Sequence, residues 1–171
     1  VEKQVNIINM SLGVSSYSSA LHEAVKRAKQ NGILIVTAAG NGGKIEYPAA
    51  FKETIAVGSI GPDGKVSEAS SIGNMLDLVA PGEQILSTSA FEGVMASGGT
   101  SMAAPHVTGI ASVLWQQDKN VSADFIKYLL CVTAKKLGDE TKYGNGIVDL
   151  QYALSHYDEL KKQYEELKKS Q

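Results

Sequence analysis

The sequence predicts an α/β fold with a parallel sheet flanked by helices. The apolar runs at residues 5–10, 33–39 and 54–60 are short and rich in Val and Ile, as strands buried on both faces should be. A segment of helical period separates the first two runs. Strand, helix, strand in this order requires a crossover and hence parallel pairing.

The elements can be justified in turn. Val5, Ile7 and Ile8 make the opening strand. Leu21, Ala24, Val25 and Ala28 then recur at three- and four-residue steps, with Ser18 as N-cap and Asn31-Gly32 as stop. The strand at 33–39 runs into Gly40-Asn41-Gly42-Gly43, and the strand at 54–60 ends before the turn Pro62-Asp63-Gly64. Short strands follow at 76–80, 84–88 and 93–96, interrupted by Pro81-Gly82. A long helix is expected from Thr100 to Gln117. Ser122, with Asp124 in the first turn, opens another that carries Phe125, Ile126, Leu129 and Leu130. From Leu150 onward, Ala153, Tyr157, Leu160, Tyr164 and Leu167 describe a single helix, either docked on its own domain or free for a partner.

Composition narrows the function. Apolar residues are 43% and charged residues 20% of the 171, ordinary for a globular chain with a packed core. The formal charge of -2 supplies no basic field for nucleic acid or anionic lipid. The longest apolar stretch, 32–39, is far too short to span a membrane, and residues 1–4 form no secretion signal, so the signal of an exported parent would lie upstream. Cys131 is the lone cysteine and lies on an apolar helix face, which suits a buried inert thiol. No His, Cys or carboxylate cluster has metal-ligand spacing. Gly43-Lys44 is followed by Ile45 rather than Ser or Thr, which argues against a phosphate-binding loop.

The strongest chemical signal is the string Gly98-Gly99-Thr100-Ser101-Met102-Ala103-Ala104-Pro105-His106-Val107, a glycine turn entering an apolar helix. Glycines admit a substrate backbone, and the first helical turn offers free N–H groups to a developing anion. Pro105 lacks the N–H that would bond the Ser101 carbonyl, so the turn bearing Ser101 is irregular. Alone, a serine here would be an ordinary helix cap.

The whole string, however, resembles the active-site serine signature of the subtilisin-like serine peptidases. Asn9-Met10-Ser11-Leu12-Gly13 resembles the substrate-binding strand of that family, and Thr37-Ala38-Ala39-Gly40-Asn41 the segment with its oxyanion asparagine. Tyr47-Pro48, Ile55-Ala56-Val57-Gly58, Ala80-Pro81-Gly82 and Tyr143-Gly144-Asn145-Gly146 follow in the family's order. The resemblance therefore implies the C-terminal part of a subtilisin-like fold over residues 1–154, with residues 155–171 extending the C-terminal helix.

It also implies roles. Ser101 would be the nucleophile of a serine endopeptidase and Asn41 the side-chain oxyanion donor. Ser11, Leu12 and Gly13 would pair with a peptide substrate, with Ala38, Ala39 and Gly40 as the facing wall of the specificity pocket. Glu46 falls where the pocket floor is often a small residue, which suggests a preference for Lys or Arg before the cut; a solvated loop carboxylate is the other reading. No cofactor is required, and calcium is allowed on backbone carbonyls of the loop 49–54.

The family's catalytic Asp and His belong to motifs upstream of the matched region, and neither motif occurs here. His106 corresponds to a structural histidine; His22 and His156 lie on predicted helices without a matching context. The chain is then a piece of a longer peptidase, a subunit completed by the N-terminal half, or a degenerate peptide-binding or assembly module. Alone it should be inactive or nearly so. The opening strand would expose an unpaired edge, to be met by the N-terminal half or by a second copy as a homodimer. The resemblance favours an extracellular or cell-surface setting.

Overall fold

The computed structural model describes residues 1–90 and 93–170. Its main sheet has four strands, β1 (Ile7–Met10), β2 (Leu34–Ala38), β3 (Ile55–Ile60) and β4 (Leu78–Pro81), in that spatial order and all parallel. β5 (Ile85–Thr88) and β6 (Val94–Ser97) pair antiparallel as a separate ribbon. The helices are α1 (Ser19–Gln30), α2 (Thr100–Trp115), α3 (Ala123–Val132), α4 (Glu140–Tyr143), α5 (Leu150–Ser155) and α6 (Tyr157–Lys169). The α/β expectation is met.

β2 and β3 are buried along their whole length, and the period-2 geometry of a strand divides their side chains between the two faces of the sheet. Leu34, Val36, Ala38, Ile55, Val57, Leu78 and Ala80 face Ala103, Ala104, Val107, Ala111 and Leu114 of α2. The alanines let α2 lie close to the sheet. Ile33 and Ile35 point the other way, onto Val25 and Ala28 of α1 and onto Phe51. Each large side chain so buried contributes roughly 1.5–3 kcal/mol. The caps read from sequence are made: Ser18 Oγ accepts the Leu21 N–H and Ser122 Oγ the Phe125 N–H.

Three expectations change. The opening strand is not buried on both faces: β1 is the sheet edge, its residues half-buried or exposed. The terminal helix is not continuous. It breaks at His156 (φ -112°, ψ 12°), whose ring Nδ1 lies 3.0 Å from the Tyr152 carbonyl. The bend turns Tyr157 into the core at 5.5 Å from the Phe125 ring, with Leu160 and Tyr164 following, so α6 docks on α3. Gln171, the last residue of that expected extension, lies outside the described residues. Finally, α4 forms ahead of Gly144-Asn145-Gly146, capped by Asp139. Gly144 is required there, since a Cβ would strike the Asp77 backbone at 2.5 Å.

Candidate active site

β1 and β2 run side by side to Met10 opposite Thr37, and the segments leaving them, 11–13 and 39–41, meet the N-terminus of α2. This is the crevice outside the carboxyl ends of a parallel sheet, where ligands of such folds bind. Gly99 precedes the helix at φ +125°, a conformation suited to glycine. A Cβ there would also press on the Asn41 carboxamide at 3.2 Å. The Gly99 N–H donates to the Gly82 carbonyl at 2.7 Å, which is how Ala80-Pro81-Gly82 fixes the start of α2.

Thr100 is the tie that the sequence reading did not single out. It is wholly buried, and its hydroxyl accepts the Gly40 N–H (3.2 Å) while donating to Asn41 Oδ1 (3.2 Å). Its N–H donates to the same Oδ1 at 3.0 Å. With Oδ1 engaged on Thr100, the Nδ2 donors of Asn41 are left for another acceptor. One threonine thereby fixes the oxygen of the carboxamide and leaves its donors unspent.

Ser101 is half-buried in the first turn of α2. Its carbonyl, deprived of a helical donor by Pro105, accepts the Ser11 hydroxyl at 2.8 Å. Its own Oγ donates to the Ser11 carbonyl at 3.4 Å. Ser11 is in turn held by the Asn9 amide (3.0 Å), and Asn9 Oδ1 takes the Thr108 hydroxyl (2.9 Å). Asn9, like Thr100, positions the site without having been predicted to belong to it. In both cases the signal was present only as membership of a matched string.

The remaining predicted residues fall around this centre. Ser11, Leu12 and Gly13 form an exposed margin. Ala38 and Ala39 are buried, and the Ala39 N–H and carbonyl are bonded to Val57 and Glu46. Glu46 is half-buried, with its carboxylate against Gly13 and Gly40.

Among the described residues, no histidine or carboxylate lies within hydrogen-bond distance of Ser101 Oγ. His106 Nδ1 is 2.8 Å from the Met102 carbonyl, His22 pairs with Glu53 at 3.2 Å, and His156 sits at the α5–α6 break. Although burial acts to raise the Glu53 carboxyl, hydrogen bonds from its backbone and from His22 hold it below the usual carboxylate range. Cys131 is no rival nucleophile, because burial, reinforced by Asp77, pushes its thiol up to about 12.

The loop 49–54 was the expected place for calcium, and two of its carbonyls, those of Phe51 and Thr54, carry other partners. The buried Thr54 hydroxyl donates to the Phe51 carbonyl at 3.0 Å, with the Pro48 and Ala49 carbonyls at 3.2 and 3.5 Å. The Thr54 carbonyl takes the Lys127 ammonium at 2.6 Å, and Asp77 Oδ1 takes it at 2.9 Å. The positive charge beside this loop is supplied by a side chain. Among the described residues no three His, Cys, Asp or Glu side chains group as metal ligands.

The family model described as the subtilase family matches residues 1–146. The chain belongs to the subtilase family. It is 39% identical over 155 residues to Subtilisin DY of Bacillus licheniformis, an alignment covering 87% of this chain and 57% of that protein. It is 49% identical over 121 residues to the Major intracellular serine protease of Bacillus subtilis, covering 67% and 38%. Among solved structures, the prenylagaramide maturation protease PagA superposes with TM-score 0.83 at 26% identity, over 91% of this chain and 62% of the other. A protease from Pseudoalteromonas arctica gives TM-score 0.82 at 33% identity, over 88% and 50%. This subtilase chain thus spans only about half the length of such relatives, which include one named as a serine protease and two named as proteases. No helix among its described residues is long and apolar enough to cross a membrane.

Proposed function

We propose that the chain supplies the nucleophile and the oxyanion donors of a serine endopeptidase. The observation that carries this reading is the Ser101–Asn41 pair: a hydroxyl in the first turn of a helix, next in sequence to the Thr100 that holds the Asn41 carboxamide oxygen and leaves its Nδ2 for another acceptor. A peptide would add as a strand along Ser11, Leu12 and Gly13, with Ala38, Ala39 and Gly40 as the opposite wall. Ser101 Oγ would attack the scissile carbonyl, passing its proton to a histidine. Asn41 Nδ2 and the Ser101 N–H would hold the oxyanion; in the subtilisin example from which the magnitude comes, such a side-chain donor is worth about 3–4 kcal/mol. The C–N bond then breaks with that proton delivered to the leaving amine, and water hydrolyses the acyl-Ser101 ester.

The histidine and its orienting aspartate would come from the N-terminal half of the same peptidase, added along the exposed edge of β1. Pairing with a second copy is the other use of that edge. No cofactor enters this chemistry. An extracellular or cell-surface setting follows the family resemblance, while the similarity to a protein named as intracellular argues for the cell interior, and fractionation of the source cells decides.

The test is labelling by a fluorophosphonate probe, with Ser101→Ala as control. The 171-residue chain should stay unlabelled alone and become labelled at Ser101 when joined to an Asp- and His-bearing portion of the peptidase. A folded, joined protein that stays unlabelled would make the chain a non-catalytic peptide-binding or assembly module. That reading is favoured by one feature, the Ser101 hydroxyl turned to the Ser11 carbonyl. Labelling of the chain alone would mean that it provides its own base.

A further inference from the structure

We infer that Glu46 selects the substrate class of this crevice, admitting peptides whose residue before the cut is Lys or Arg; the inference rests on the peptidase reading above. The sequence placed Glu46 near the pocket without saying where its side chain goes. The backbone now answers that. The Glu46 N–H donates to the Ala39 carbonyl at 2.9 Å, and Tyr47 exchanges hydrogen bonds with Val14 at 2.9 and 2.8 Å. The short segment 46–47 is therefore stitched to both walls, and closes the gap between them as a floor.

The side chain rises from that floor into the gap. A Cβ on Gly13 would collide with Oε2, and one on Gly40 would meet Cγ and Cδ at 2.8 Å. Oε1 lies on the Gly42 side, at 3.5 Å from where a Cβ would stand. Glycines 13 and 40 thus create the room that the carboxylate fills. The mouth of the same gap is formed by Ser11, bonded to Ser101, and by Gly40, bonded to Thr100. The carboxylate thus lies between the two segments that bond to the N-terminus of α2, where the side chain of a peptide bound along Ser11 to Gly13 would enter.

The charge of Glu46 is not spent within the chain. The ion pairs among the described residues engage other carboxylates, and Glu46 is half-buried without a lysine, arginine or histidine partner. An ammonium or guanidinium on a long stem supplies the missing charge and donors together. A large apolar side chain would instead desolvate the carboxylate without compensation, and an acidic one would be repelled.

Two readouts separate this inference from the one beneath it. The joined peptidase is assayed on paired peptides that differ only in Lys or Phe before the cut, and the 171-residue chain is titrated with p-aminobenzamidine by fluorescence. Lys should be preferred. Glu46→Gln should lower kcat/KM for the Lys peptide and the affinity for p-aminobenzamidine by about tenfold to a hundredfold, the range of a charge-assisted hydrogen bond, and should narrow the preference for Lys over Phe, since the carboxylate that an apolar side chain would desolvate is gone. Equal use of Lys and Phe, or a Lys preference that survives Glu46→Gln, with Ser101 still labelled, overturns the role of Glu46 and leaves the peptidase reading intact. Absent Ser101 labelling together with p-aminobenzamidine binding that Glu46→Gln abolishes overturns the peptidase reading and keeps Glu46 as a cation-recognising group.

Discussion

Thr100→Val is the substitution that probes most directly how the site is held. Valine keeps the shape of threonine at a position with 0% exposure, so no cavity opens and only the hydroxyl is lost. The buried Gly40 N–H then has no partner, and Asn41 Oδ1 keeps the Thr100 N–H at 3.0 Å but loses the hydroxyl at 3.2 Å. An orphaned buried donor costs about 1–3 kcal/mol. Both lost bonds are long, so about 2 kcal/mol is expected. With a urea dependence of about 2 kcal/mol/M for a chain of this size, the unfolding midpoint should fall by about 1 M. Thr100→Ser, which retains the hydroxyl, should recover most of that loss. A cycle with Asn41→Ala should show a coupling of at least about 0.5 kcal/mol, because the two side chains share a hydrogen bond. Additive effects, or a midpoint unchanged by Thr100→Val, would refute the claim that Thr100 fixes Asn41.

Other predictions concern the surroundings. Lys127→Met should destabilise the chain by about 1.5–3 kcal/mol in urea unfolding, since Asp77 and the Thr54 carbonyl lose a charged partner, whereas adding a calcium chelator to the unsubstituted chain should leave the midpoint where it was. Glu53 has a lowered folded pKa, so its contribution to stability is present above the ordinary glutamate value of about 4.3 and is lost as pH falls through the folded value. Midpoints measured across that window should show a decline that Glu53→Gln flattens. Cys131, its thiol pushed up to about 12, should resist a thiol-disulfide reagent at pH 8 in the native chain and react once urea unfolds it.

The parts of this molecule legible in sequence are those governed by local rules. Val36 and Val57 sit in uninterrupted apolar runs, and Ser18 and Ser122 stand where caps must stand; each is where its neighbours in sequence required. The break at His156 was invisible because the apolar spacing passes through it unbroken, and only the pull of Tyr157 toward Phe125 bends the chain there. The exposure of β1 is not written in its composition, since an edge strand of a sheet that can be extended reads like a buried one; only the family resemblance supplied the unpaired edge. Lys127, Asp77 and Thr54 meet from distant segments, and no periodicity announces a tertiary ion pair. The site divides the same way. Ser101 and Asn41 stood out within matched strings, but Thr100 and Asn9 resembled ordinary helix and strand residues until their partners were known.

Those partners show how the chain would hold the proposed nucleophile in place. The first turns of α2 are fixed at successive points to separate segments: Gly99 to Gly82, Thr100 to Gly40 and Asn41, Ser101 to Ser11, Thr108 to Asn9. Pro105 contributes by what it withholds, since the carbonyl it leaves unbonded is the one that Ser11 takes. Every one of these ties lies inside the 171 residues. On the proposed reading, a segment arriving at β1 would have to deliver an imidazole with its orienting carboxylate to Ser101 Oγ and displace one weak bond of 3.4 Å to the Ser11 carbonyl. Positioning and proton transfer would thus be assigned to different stretches of polypeptide, and loss of the second would leave the crevice intact for binding.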